Sequence, residues 1–225
     1  MLIEVCGPDG SGKSTLVDGL RARVREAGHV AYERTLRSES RNLLEIVQQQ
    51  SHGFSPREFE LAVLLDAVSQ STGELTKYVR NPTTHVFVQQ YRCALLARLL
   101  RRGLAGHGEL LALLDHVTVP DLSVRLLVSD FTCMARIRGR RKGDGLLARP
   151  SPATEMRALV QAFDDAAERL PYPQVDLDAE LPADELLDLA WKHLAPYSSW
   201  ASNSPKESSV QPRSRQAPVP PSGPS

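Results

Sequence analysis

The sequence predicts an α/β fold, a parallel sheet of about five strands flanked by helices in three layers, on three observations. Short apolar segments alternate with longer segments of helical periodicity between residues 2 and 194. The first apolar segment, Leu2-Ile3-Glu4-Val5-Cys6, runs straight into a glycine-rich turn and a helical repeat, the step from which parallel sheets are built. Hydrophobic residues make up 41% of 225, enough for one core, while the Ser- and Pro-rich end cannot bury enough surface to offset the entropy of ordering. One domain over residues 1–196 and a disordered tail over 197–225 are expected.

The turn Gly7-Pro8-Asp9-Gly10-Ser11-Gly12-Lys13-Ser14-Thr15 is a complete P-loop, G-x-x-x-x-G-K-S, in strand–loop–helix context. Its glycines let backbone N–H groups turn inward around an anion, and the helix starting near Lys13 adds its positive end. Lys13 is spaced to reach β- and γ-phosphates, and the Ser14 hydroxyl to ligate Mg²⁺. Gly7, Gly10, Ser11, Gly12, Lys13, Ser14 and Thr15 are therefore candidate cofactor-binding residues, with ATP and Mg²⁺ as cofactors and Ser14 as the metal ligand. The bland alternative is a strand-to-helix turn that binds nothing.

The remaining elements follow in order. Leu16, Leu20 and Val24 give a helix over 14–27, stopped by Gly28. A strand over 29–35 follows, with Arg34, Arg37 and Arg41 clustered at its end, either as a solvated basic loop or as an anion site. A helix spans 42–49, and Ser55-Pro56 supplies the cap and first position of a long helix reaching Val79. Asn81-Pro82-Thr83 breaks it before the strand His85-Val86-Phe87-Val88, which ends in Gln89-Gln90-Tyr91 where a parallel sheet opens its crevice. Helices over 93–102 and 109–117, a strand over 123–128 and a helix over 132–141 come next. That helix ends in Arg136, Arg138, Arg140, Arg141 and Lys142, more positive charge than its dipole requires. A helix over 153–170, a strand over 175–177 and a helix over 182–194 close the domain.

Lysine plus arginine equals aspartate plus glutamate at 27 each, so no global basic field recruits nucleic acid and an anion site must be built locally. Three widely separated cysteines, Cys6, Cys93 and Cys133, fit neither a disulfide framework nor a zinc site. No apolar run approaches membrane-spanning length and the first strand leaves no room for a leader, so a cytoplasmic protein is expected.

These patterns together resemble the thymidylate kinase family of P-loop NTPase fold. The resemblance rests on Pro8-Asp9-Gly10-Ser11-Gly12-Lys13-Ser14-Thr15, on Pro120-Asp121-Leu122-Ser123 before a strand, on Met134-Ala135-Arg136-Ile137 entering a short basic LID, and on Leu96-Ala97 after the third strand. It implies a nucleotide kinase that transfers the ATP γ-phosphate to a nucleoside monophosphate, dTMP or a modified nucleotide. Asp9, Lys13, Arg136, Arg140 and Arg141 take catalytic positions, and Asp9, Arg34, Arg37, Gln70, Gln89, Gln90 and Tyr91 fall at the acceptor. Three of these depart from the family pattern. Gln89 and Gln90 replace its Asp-Arg pair, and Gln70 replaces an arginine that contacts the base, so the donor half is intact while the acceptor half is rewritten. Phosphorylation of a non-nucleotide small molecule, or nucleotide binding without turnover, are the alternatives. The expected partner is a small phosphate acceptor, with neither nucleic acid nor membrane. The long helix either joins a homodimer, as in that family, or buries its stripe in the chain's own core.

Overall fold

The computed structural model describes residues 1–48, 53–79, 81–139 and 145–197. It is α/β, with an all-parallel five-stranded sheet in the order β2-β3-β1-β4-β5. The strands are β1 (Leu2–Cys6), β2 (Val30–Thr35), β3 (Thr84–Gln89), β4 (Leu122–Leu127) and β5 (Gln174–Asp178). Every residue of β1 and β3 is buried, because helices cover both faces of the sheet.

The period of two in the strands divides the core. Ile3, Val5, Phe87, Val124 and Leu126 face α1 (Lys13–Glu26), α7 (Asp130–Arg138) and α9 (Ala183–Leu194). Leu2, Cys6, Val86 and Val88 face α3 (Pro56–Gln70), α5 (Arg92–Arg101), α6 (Gly108–His116) and α8 (Pro152–Arg169). The chain thus leaves β1 onto one face and β3 onto the other. Since β1 and β3 are neighbours, a crevice opens at their C-terminal ends, with Val5 opposite Gln89.

The long helix expected over 56–79 begins as predicted, with a capping box in which the Ser55 hydroxyl accepts from Glu58 N–H at 3.3 Å and Glu58 Oε2 accepts from Ser55 N–H at 2.6 Å. It does not run through. The chain passes from α3 into a π-helical turn, Ser71–Leu75, and then α4 (Thr76–Val79). Thr118 explains the break: its N–H and hydroxyl donate to Ser71 Oγ (3.2 Å) and Ser71 O (3.1 Å), while the Ser71 and Thr72 hydroxyls bond back to Val68 O. Ala62, Val63, Leu64 and Ala67 of α3 lie in the core, so its stripe is largely intramolecular, and Leu65 remains exposed. The helix α2 (Glu39–Gln48) starts three residues earlier than the apolar spacing indicates, because Asp66 accepts from both the Ser40 N–H and its hydroxyl. The basic helix ends at Arg138, so Arg140 and Arg141 lie outside the described residues, as does the expected tail from residue 198. Among the described residues no helix is long and apolar enough to cross a membrane.

One carboxylate is buried at the centre of this framework. Glu4 accepts from Cys93 N–H (2.8 Å), Tyr172 OH (2.8 Å) and Ser123 OH (3.3 Å). Burial nevertheless pushes its pKa up to about 7, against those hydrogen bonds and the nearby Arg92 guanidinium. The native protein therefore binds this proton more tightly than the unfolded chain. The resulting stability is full below pH 4.5 and is lost as pH rises through about 7. Glu4→Gln is expected to flatten that dependence, which amounts to on the order of 3 kcal/mol for such a shift. Urea unfolding of both proteins across this pH range checks it; parallel curves would show that Glu4 does not titrate with folding.

Candidate active site

The glycine-rich turn is held between β1 and α7. Gly10 has φ +88°, and a Cβ there would lie 2.6 Å from the Cys133 carbonyl oxygen and 2.9 Å from its Cα, so glycine is required by both conformation and space. Gly12, at φ +97°, is the left-handed N-cap of α1 and faces open space. Arg136 ties the turn down from α7. Its guanidinium donates to Ala179 O at 2.9 Å and lies 3.4 and 3.5 Å from Gly10 O and Ser11 O. The sequence reading gives Arg136 a LID role, but its donors are engaged in joining the turn to the segment between β5 and α9.

Lys13 Nζ donates to Gly7 O (2.9 Å) and Pro8 O (2.8 Å) and stands 3.9 Å from Asp9 Oδ1. The ammonium thus closes over the turn, and carbonyl oxygens occupy directions that phosphate oxygens can take. Ser11 Oγ is buried without a hydrogen-bond partner, an orphaned polar atom inside an anion-shaped cradle. Thr15 lies exposed on the first turn of α1.

Ser14 sits beside a relay. Its hydroxyl donates to Gln89 Oε1 at 3.3 Å, Gln89 Nε2 donates to Glu33 Oε1 at 2.8 Å, and Arg21 holds Glu33 Oε2 at 2.8 Å. Gln89, expected at the acceptor, is thus bonded to Ser14, and a carboxylate of β2, Glu33, stands one amide further from the Ser14 hydroxyl. Glu33 escapes sequence reading because only the β2–β3 register, with Thr35 opposite Gln89, brings it across. Ser14 with Glu33 behind it suits a divalent cation that takes most of its remaining ligands from phosphate and water. Among the described residues no three His, Cys, Asp or Glu side chains gather to hold a metal alone.

Next to the turn lies a cleft of about 370 Å³, lined at one end by Gly7, Asp9, Lys13 and Gln90. Gln90 is the non-glycine residue with positive φ (+53°) among the described residues, and this bend turns β3 into α5. Leu36, Val63, Ala67, Leu95, Leu159 and Phe163 give the lining its apolar part, and Arg98, Arg101 and Arg102 line it further along α5 from Gln90.

Four expected acceptor residues are placed elsewhere. Arg34 donates to Tyr78 OH at 2.8 Å and stacks 5.0 Å from that ring's centre, away from the cleft. Gln70 spends its amide on the backbone of Arg37, accepting from its N–H (2.9 Å) and donating to its C=O (2.6 Å), while the Arg37 side chain is exposed. Tyr91 is fully buried with its OH donating to Thr118 O at 2.7 Å, and burial raises its pKa. It is a core residue because the bend at Gln90 turns the next side chain inward. In place of these, Arg41 of the same basic cluster, Arg98 and Arg101 of α5 and its C-cap Arg102 reach the cleft. The spacing 98, 101, 102 already puts three cations on one helix face, a signal legible without coordinates.

The chain matches no family model and no curated protein.

The two glycines separate loop strain from close packing. Gly10→Ala is expected to cost more than about 2 kcal/mol, since backbone must move; Gly12→Ala should cost about 1–2 kcal/mol from its left-handed φ alone. Denaturant titration ranks the two, and equal losses would contradict the contact with Cys133.

Proposed function

We propose that this protein is an ATP-dependent phosphotransferase that uses Mg²⁺ and transfers the γ-phosphoryl group to a small acceptor in the cleft. The observation that carries the reading is the location of the P-loop, with Lys13 and Asp9 opening directly onto a cleft large enough for a small molecule. Phosphoryl transfer asks for positioning and charge neutralisation more than for a protein nucleophile. In this reading Lys13 exchanges the Gly7 and Pro8 carbonyls for phosphate oxygens, and the loop's N–H groups hold the rest of the phosphate chain. Ser14, oriented by Gln89, is the side chain that takes the Mg²⁺, which supplies charge neutralisation when bound. Asp9 is half-exposed at the cleft wall, where it can accept a hydrogen bond from the acceptor and receive its proton.

The resemblance to thymidylate kinases supports a nucleoside monophosphate as acceptor. Neutral Gln90 at the transfer end of the cleft instead favours a different small molecule. A second reading, nucleotide binding without turnover, draws on the amide of Gln89 standing where a carboxylate would meet the metal shell.

Lys13→Ala is expected to lower acceptor-dependent ADP release by roughly a hundredfold or more while the protein still unfolds cooperatively, because the ammonium supports phosphate charge. The assay is ADP release with nucleoside monophosphates, dTMP included, and with non-nucleotide alcohols. Wild-type rates in the variant would overturn the phosphotransferase reading, and tight ATP binding without ADP release from any acceptor would leave the binding-only reading.

A further inference from the structure

The two ends of the cleft differ in charge in a way that specifies its ligand. At the Lys13 end the wall opposite the P-loop is the neutral amide of Gln90. From there α5 runs along the cleft like a ruler, with Ala94 and Leu95 at the apolar middle and Arg98, Arg101 and Arg102 beyond. At 1.5 Å per residue, the step from Ala94 to Arg101 is roughly 10 Å.

The far cations are mounted on a buried carboxylate. Glu60, with its side chain 1% exposed, accepts from Arg98 Nη2 at 2.9 Å and lies 3.1 Å from Arg102 Nε. One guanidinium would neutralise it; two fix a pair of planar donor groups with positive charge to spare. Arg101 and Arg41 pair with Glu155 (2.9 Å) and Glu45 (2.8 Å), whose side chains are 41% and 45% exposed. Such solvated pairs contribute little and yield readily to a better anion. Four guanidiniums thus meet three carboxylates, and Arg149 adds a further positive charge to the cleft wall. Burial, and after it the crowding of Arg98, Arg101 and Arg41 against the pull of Glu60, lowers the pKa of Arg102.

We propose that the Arg98–Arg102 end of the cleft binds an acidic group of the acceptor, a carboxylate or a phosphate, so that the group phosphorylated is a neutral hydroxyl at the Gln90 and Asp9 end. The acceptor is then an acidic alcohol whose hydroxyl and acidic group lie at opposite ends of the cleft. The direction of binding rests on the phosphotransferase reading, whereas the anion site stands on the cleft alone. In the transfer, the acceptor hydroxyl oxygen forms the new bond to the γ-phosphorus as the bond to the β–γ bridging oxygen breaks. The electron pair leaves with ADP, and the hydroxyl proton passes to Asp9 and then to water. A nucleoside monophosphate that accepted through its phosphate would set its charge against Gln90, the end that among the described residues carries no arginine in its lining.

The test separates the two sites. Full-length protein carrying Lys13→Ala, which removes the P-loop's side-chain cation, is titrated calorimetrically with inorganic phosphate and, separately, with acetate. At least one anion is expected to bind, and Arg98→Met or Arg102→Met to weaken it roughly tenfold or more, while Arg57→Met, a surface cation outside the cleft, leaves it unchanged. Double variants with Glu60→Gln keep the measurement meaningful where a single variant leaves Glu60 uncompensated and fails to fold. Phosphate binding alone marks a phosphorylated acceptor, acetate binding alone a carboxylic acid, and either supports the site. No binding, or binding indifferent to Arg98 and Arg102, overturns it. A parallel titration of the unmodified chain with a non-hydrolysable ATP analogue tests the phosphotransferase reading separately: failure there with arginine-dependent anion binding intact removes that reading and leaves the anion site.

Discussion

The close approach of Gly10 to the backbone of Cys133 is the constraint on which the candidate site depends. Backbone lies against backbone there, with no side chain between to yield, so the glycine-rich turn cannot drift away from α7 without losing its packing. Arg136 reinforces the approach through Ala179 O, and the strand before the loop is anchored by pairing with β3 and β4. A loop rich in glycine would otherwise be costly to order. Held in this way, it presents Lys13 and Asp9 to the cleft in a fixed relation, which is what positioning chemistry requires.

Two buried carboxylates show opposite solutions to the same desolvation problem. Glu4 is surrounded by hydroxyl and amide donors, with Arg92 nearby, and its proton affinity rises, which makes the centre of the sheet sensitive to pH. Glu60 is met by two guanidiniums and becomes a mount for cations that face the cleft. In a low-dielectric interior an ionised carboxylate persists only with such partners. Hydrogen bonds alone leave Glu4 near the balance point, whereas full ion pairs give Glu60 a structural task.

Beside Ser14, a side chain of one strand is joined to a carboxylate of the next. The family resembled in sequence places a carboxylate at the position of Gln89. Here Gln89 passes the hydrogen bond on to Glu33, and Arg21 secures the far oxygen. The charge is retained in the neighbourhood but displaced by one side chain, which keeps the Ser14 hydroxyl oriented.

Local physics made much of this legible. Alternating apolar and helical segments fixed the class of fold, and apart from the long helix, interrupted at Ser71, the elements lie within a few residues of their expected bounds, because strand burial on both faces and amphipathic helices leave a periodic trace. The glycine-rich turn was readable for the same reason, since its constraints act between residues adjacent in the chain. The cleft's lining was not. Tyr91, Gln70 and Arg34 look like site residues by position, yet one turns into the core, one ties down a loop and one stacks on Tyr78. Their fates are set by partners 27 to 44 residues away, and Glu33 reaches Gln89 across 56. By itself the sequence determined the layers, the order of elements and the glycine-rich turn, all consequences of short-range pattern. Which arginines face the cleft, and which carboxylates stand behind them, was decided only when long-range packing of α2, α3, α5 and α8 brought distant side chains together, and such pairings leave no local periodicity to read.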